Sequence, residues 1–302
     1  MKKIFLVLTL CFAMIFSAKV SAEEVQGDAM QAFREAVLAN TNEDNRPFHE
    51  DLLFAMPSFQ GELEFIGVPD KGSFKASGNL EFWLTDDSGN LNDVTIPFYL
   101  TQTEKDMKIY FQDNKKWYVF QSPSVAAVIT DMVATPTAQE TEEFVNDVKE
   151  VTVLRDTANQ RTMLVKLDGN KIADEMKAEA EKNPADNLAE GEQETQDKFF
   201  EYLNTAFRKS DLWYMWTIDK HTGKTMTMSL HLSNFVQEFA KAALADDSTA
   251  LNETFKDLLA SVAFYSDVKS YTNFLKEDAK KKVEIPKNVL KAKSVEHLTG
   301  NK

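Results

Sequence analysis

Between Ser73 and Leu100 the large apolar residues fall on every second position. In "SFKASGNLEFWL" (73 to 84), Phe74, Ala76, Leu80, Phe82 and Leu84 point one way, and Lys75, Ser77, Asn79 and Glu81 point the other. In "VTIPFYL" (94 to 100), Val94, Ile96, Phe98 and Leu100 alternate with Thr95, Pro97 and Tyr99. A helix cannot use such a pattern, because its apolar stripe follows a period of about 3.6 residues. A half-buried antiparallel sheet can. Pro97 has no N–H to give to a ladder, so it marks a sheet edge or a bulge. "DDSGNLND" (86 to 93) and "DNK" (113 to 115) supply turn chemistry between such strands.

A second constraint lies in "DLWYMWTIDKHTGKTMTMSLHLSNF" (211 to 235). Met226, Met228, Leu230 and Leu232 alternate with Thr225, Thr227, Ser229 and His231, and Gly223 closes "KHTG", where a positive φ is needed. A four-residue loop pairs Asp219 with Lys224. Met215 then faces Met228, Thr217 faces Met226 and Trp213 faces Leu230, while Tyr214 and Trp216 join Thr227 and Ser229 on the other face. By the same logic a three-residue loop at 113 to 115 aligns Met107, Ile109 and Phe111 with Trp117 and Val119. Five or more strands thus offer one wide apolar face, which helices must cover or a ligand must fill.

Helices are expected elsewhere. Residues 23 to 56 read as helical or irregular, with Met30, Phe33 and Val37 on one helical face. Two short strands are expected near 150–155 and 161–167, and a helical excursion over about 169–210. That excursion contains "KIADEMKAEAEK", an acidic connection at 183 to 197, and a stripe of Phe199, Phe200, Leu203 and Phe207. Val236, Phe239 and Ala243 stripe one later helix, and Leu251, Phe255, Leu258 and Val262 another. A last strand region is expected to run to "VEIPKNVLKA". The expected fold class is α+β: a curved antiparallel sheet, or incomplete barrel, with helices over its concave apolar face.

The first 22 residues form a signal peptide on this reading. Lys2 and Lys3 precede the apolar run "IFLVLTLCFAMIF", and Val20-Ser21-Ala22 suits cleavage after Ala22. Residues 23–302 would then form one domain, without a transmembrane segment, in the periplasm or outside the cell. The only cysteine, Cys11, leaves with the leader, so the mature chain has no disulfide and no thiol chemistry. The full chain carries −14, and losing Lys2, Lys3 and Lys19 takes it to about −17. Such a charge repels phosphate backbones, which argues against nucleic acid as a partner.

The order of these parts resembles bacterial secreted proteins of the lipoprotein-carrier-like, LolA/LolB-type half-barrel class. The features that carry it are "KKWYVFQSP", Ile218-Asp219, the Thr222-Gly223 turn, the return strand from Met226 to Leu232, and Ile285-Pro286 followed by Val289. The resemblance implies an apolar cavity between sheet and helices that holds acyl chains or similar molecules.

No nucleophile motif, zinc-protease motif or phosphate loop occurs. The four histidines, His49, His221, His231 and His297, are scattered and read as solvated surface groups, so no metal or cofactor is expected. Asp86, Asp87 and Asp93 lack the spacing of a calcium loop. The expected function is non-enzymatic binding of a lipid or other apolar molecule outside the cytoplasm. Phe82, Phe98, Trp213, Met215, Met226, Met228 and Leu230 are the candidate lining. The competing expectation is a structural or protein-interaction module of the cell envelope with a filled core.

Overall fold

The computed structural model describes residues 27–40, 46–57, 59–70, 73–85, 91–103, 106–122, 145–182, 190–246 and 253–295. The expected leader lies outside them, as does residues 183–189 of the acidic connection. The chain is α+β, with a large, open, curved sheet of twelve strands among the described residues and a few helices against it.

The first helix, α1 (Gly27–Asn40), precedes six strands: β1 (Phe48–Met56), β2 (Phe59–Asp70), β3 (Ser73–Thr85), β4 (Leu91–Thr103), β5 (Asp106–Asp113) and β6 (Lys116–Ser122). Then come β7 (Val148–Asp156) and β8 (Gln160–Leu167), the helices α2 (Gly169–Lys182) and α3 (Glu190–Lys209), and the hairpin β9 (Trp213–Asp219) and β10 (Thr225–His231). Helices α4 (Ser233–Ala245) and α5 (Glu253–Phe264) lead to β11 (Asp267–Phe274), two 3-10 turns and a two-residue strand, β12 (Lys293–Ser294). The sheet order is β12-β6-β5-β4-β3-β2-β1-β11-β10-β9-β8-β7. All neighbours are antiparallel except β12 with β6. Strand β11 thus closes the gap between β1 and β10, joining the early and late strands into one sheet.

The period-2 pattern of 73 to 100 is realised directly. Leu80 stands opposite Leu63 and Ile96, and Ala76 opposite Gly67 and Leu100. Pro97 lies where β4 has run past the end of β5, whose pairing begins at Phe98, so a missing N–H on that side costs no ladder bond. Strand β1 departs from the expectation that 23 to 56 is helical or irregular. Only 27–40 is helix, and "FHEDLLFAM" is a strand. Glu50 on the apolar side and Leu53 on the polar side hide its alternation. The "VEIPKNVLKA" segment is likewise 3-10 and turn rather than strand, and only Lys293–Ser294 just beyond it pair with β6.

One side of the sheet is apolar and helix-covered. Phe48, Leu52, Leu63, Phe65, Phe74, Leu100 and Met107 meet Leu203, Ala206 and Phe235 from α3 and α4 in one cluster. Phe33, Ala36 and Val37 of α1 cover the same side at the β7–β10 end, over Met163, Val165, Tyr214 and Trp216. Helix α3 starts at Glu190, so residues 190–197 of the expected acidic connection are helical.

Candidate functional site

Both hairpins depart from the expected register, for identifiable reasons. In the 211 to 235 hairpin the loop is as expected. The Asp219 N–H donates to the Lys224 carbonyl at 2.9 Å, and Gly223 has φ 70°. Thr225 then stands opposite Ile218, but Thr227 stands opposite Thr217. Met226 is the extra residue of a β-bulge and has no opposite number on β9. Thr225 and Met228 therefore face the same side although three residues apart. The bulge is held at Thr225 by two bonds: the indole N–H of Trp216 donates to Thr225 Oγ1 at 3.0 Å, and Arg46 donates to the Thr225 carbonyl at 2.8 Å.

The consequence is a correction. Met228 faces Trp216 and Leu230 faces Tyr214 on the helix-covered side. Trp213 and Met215 face His231 and Ser229 on the opposite side, and do not line the concave face. There the Trp213 ring stacks on His231 with centroids 4.2 Å apart. Tyr214 and Trp216, expected on the other face with Thr227 and Ser229, are buried on the helix-covered side, and Trp216 meets Phe33 of α1 edge-on at 5.5 Å.

In the 113 to 115 turn, Asn114 and Lys115 have φ 48° and 62°, which makes a two-residue loop with positive φ at both central residues. Asp113 pairs with Lys116, so Phe111 faces Tyr118 and Ile109 faces Phe120. Trp117 lies on the uncovered side, where its ring is 5.6 Å from that of Tyr99.

The concave face has two zones. Around Leu52, Leu63, Phe65 and Phe235 it is filled, each of these being at most 3% exposed. Phe98 belongs to this zone, and Leu230 touches both helix-covered clusters. Toward the β1–β2 turn the packing loosens. Phe54, Phe59 and Phe82 are half-buried and form a three-ring group, with centroids 5.4 Å (Phe54–Phe59), 5.3 Å (Phe59–Phe82) and 6.2 Å (Phe54–Phe82) apart. Leu80 and Ile96 continue this zone half-buried, and Val94 is 41% exposed. Glycine sets its floor. A Cβ on Gly61 would lie 2.4 Å from the Phe54 ring, so the ring lies across the bare backbone of β2. Met56, also on this face, packs against Ala240, Ala243, Leu259 and Val262 of the α4–α5 pair.

One acid interrupts the apolar face, and the sequence reading missed it. Glu50 is fully buried between Phe48 and Leu52, and Ser270 Oγ and Thr272 Oγ1 donate to its two carboxylate oxygens, Thr272 at 2.6 Å. Burial raises its pKa, opposed by these two hydroxyls. A glutamate at an apolar position of "FHEDLLF" was the available signal, legible only once that run is known to be a strand. On this face Glu50, Ser270 and Thr272 are engaged with one another, and the zone around Phe54, Phe59 and Phe82 presents aromatic rings.

A cavity of 510 Å³ lies on the other side of the sheet, between Val68, Lys75 and Thr101 and the C-terminal Lys280, Val283 and Glu284. Its lining mixes the apolar Val68, Val283 and Ile285 with the charged Lys75, Lys280 and Glu284. Among the described residues, no helix is long and apolar enough to cross a membrane.

No family model matches the chain. No curated protein matches it either. Among solved structures, it is similar to LprF from Mycobacterium bovis, at 12% identity over 82% of this chain and 91% of that one, with a TM-score of 0.39.

Proposed function

We propose that the protein binds a lipid or other apolar molecule outside the cytoplasm, without transforming it, on the looser zone of its concave face. The observation that carries this is the half-buried ring group Phe54–Phe59–Phe82, which extends the apolar face beyond the packed core with Leu80, Ile96 and Val94 beside it. Phe82 is the member of the expected lining that lies in this zone. Phe98 lies in the packed core on the same face, and Met228 and Leu230 lie half-buried there under the helices. The leader-like first 22 residues support export, and the acidic mature chain fits a neutral guest better than an anionic membrane surface.

The energetics are adequate for such a guest. Each buried methylene contributes about 0.8 kcal/mol. About ten methylenes therefore match the roughly 8 kcal/mol of a micromolar complex, before ordering costs. Titration with an environment-sensitive fluorescent fatty acid tests the proposal. The expected result is saturable binding that is lost in Phe82→Glu while the far-UV circular dichroism stays unchanged. Saturable binding of equal strength in wild type and Phe82→Glu would place the guest elsewhere, and no binding of apolar probes would remove the proposal.

A further inference from the structure

The strand β1 sends Glu50 and Leu52 to the concave face and His49 and Asp51 to the opposite one. Asp51 stands directly opposite Glu64 of β2, and His49 is two residues along on the same side. The imidazole is therefore bracketed, with Nε2 2.8 Å from Glu64 Oε1 and Nδ1 3.5 Å from Asp51 Oδ2. One donor atom from each of the three residues lies within 4.8 Å of the others. Their side chains are 29%, 31% and 50% exposed, so the group opens to solvent.

Two further carboxylates stand beside it. Glu62 and Glu81 are directly opposite one another on β2 and β3, on the same side of the sheet. Asp51, Glu62, Glu64 and Glu81 thus stand on the same side of the sheet as His49, and the group holds an excess of negative charge that a dication would offset.

We propose that His49, Asp51 and Glu64 form a binding site for a divalent transition-metal ion of the zinc class. The imidazole separates this group from ordinary acidic surface, because one nitrogen and two oxygen donors suit zinc better than calcium or magnesium, which favour oxygen alone. Zinc bonds of about 2.0–2.2 Å require neighbouring donors roughly 3.3–3.6 Å apart. The three donors, within 4.8 Å of one another, would close to that spacing by side-chain rotation around one ring nitrogen. The backbone need not move, since β1 is paired on both sides, with β2 and β11. Three protein donors leave a fourth position for water or a donor from another molecule. The scattered histidines of the sequence gave no hint of this, because Glu64 comes to His49 only through the β1–β2 register.

The test uses the tag-free protein, stripped with EDTA, freed of chelator, and titrated with zinc sulfate against a chromophoric zinc chelator. The expected result is one equivalent bound, weakened roughly tenfold or more in His49→Ala and again in Glu64→Gln, with unchanged circular dichroism. If His49→Ala does not fold, Glu64→Gln and Asp51→Asn carry the same expectation. Absence of stoichiometric zinc binding, or unchanged affinity in the folded variants, overturns the proposal.

Discussion

Asp147 is the residue whose surroundings most plainly conflict with its charge. Its carboxylate is buried in the turn before β7, and its pKa is pushed up to about 8, by burial first and then by Glu175, with Lys171 opposing and Asp168 adding to the rise. A carboxyl raised above its unfolded value near 4 takes up a proton on folding. Its contribution is therefore intact below about pH 4 and is lost as pH rises through about 8. We expect Asp147→Asn to remove that loss, gaining about 2 kcal/mol over wild type at pH 9 in urea unfolding, with less gain at pH 5. A variant whose stability runs parallel to wild type across that range would contradict the assignment. Gly78 is constrained by shape instead. A Cβ there would lie 1.9 Å from the Glu64 carbonyl oxygen and 2.6 Å from Cα and Cβ of Phe65, which stands opposite it. Gly78→Ala should cost roughly 1–3 kcal/mol, read as a lower urea midpoint. An unchanged midpoint would mean that β2 and β3 can separate there freely.

The β9–β10 hairpin shows where local rules carry and where they stop. The loop, its Asp219–Lys224 pairing and the positive φ of Gly223 were all legible, because turn chemistry is local. The Met226 bulge was not, since it is held by Arg46, distant in sequence, and by Trp216 across the hairpin. One extra residue moved Trp213 and Met215 off the concave face. The bulge makes a sharp prediction. Deleting Met226 should leave Thr227 opposite Thr217 and Met228 opposite Trp216, so the protein stays folded with a loss under about 2 kcal/mol. If the strand were regular, the same deletion would turn Met228 and Leu230 to the solvent side and unfold the domain. Thermal melting of the deletion variant decides between them. Alternation over 73 to 100 was legible for the converse reason, since β3 keeps its period from Phe74 to Leu84. Strand β1 was not, because Glu50 sits among its apolar positions. The ring group shares this limit: Phe82 could be assigned to a face, but Phe54 and Phe59 join it only through the β1–β2–β3 register.

Over the whole molecule, one sheet carries two different surfaces. The helix-covered face is apolar and changes from filled, at Leu63 and Phe65, to loose, at Phe59 and Phe82. The other face carries the charged groups, including His49 with its carboxylates. Filling and binding therefore make separable demands: Leu63→Ala should lower stability by about 2–5 kcal/mol, whereas Phe82→Glu should act mainly on the guest. Native mass spectrometry of the purified wild-type protein, with organic extraction and analysis of what is released, addresses the proposed function most directly. A concave face built to hold an apolar molecule should yield protein carrying a discrete added mass that extraction identifies as lipid-like and that Phe82→Glu lacks. Wild-type protein that is free of added mass, and stays so after incubation with membrane lipid extract, would contradict it.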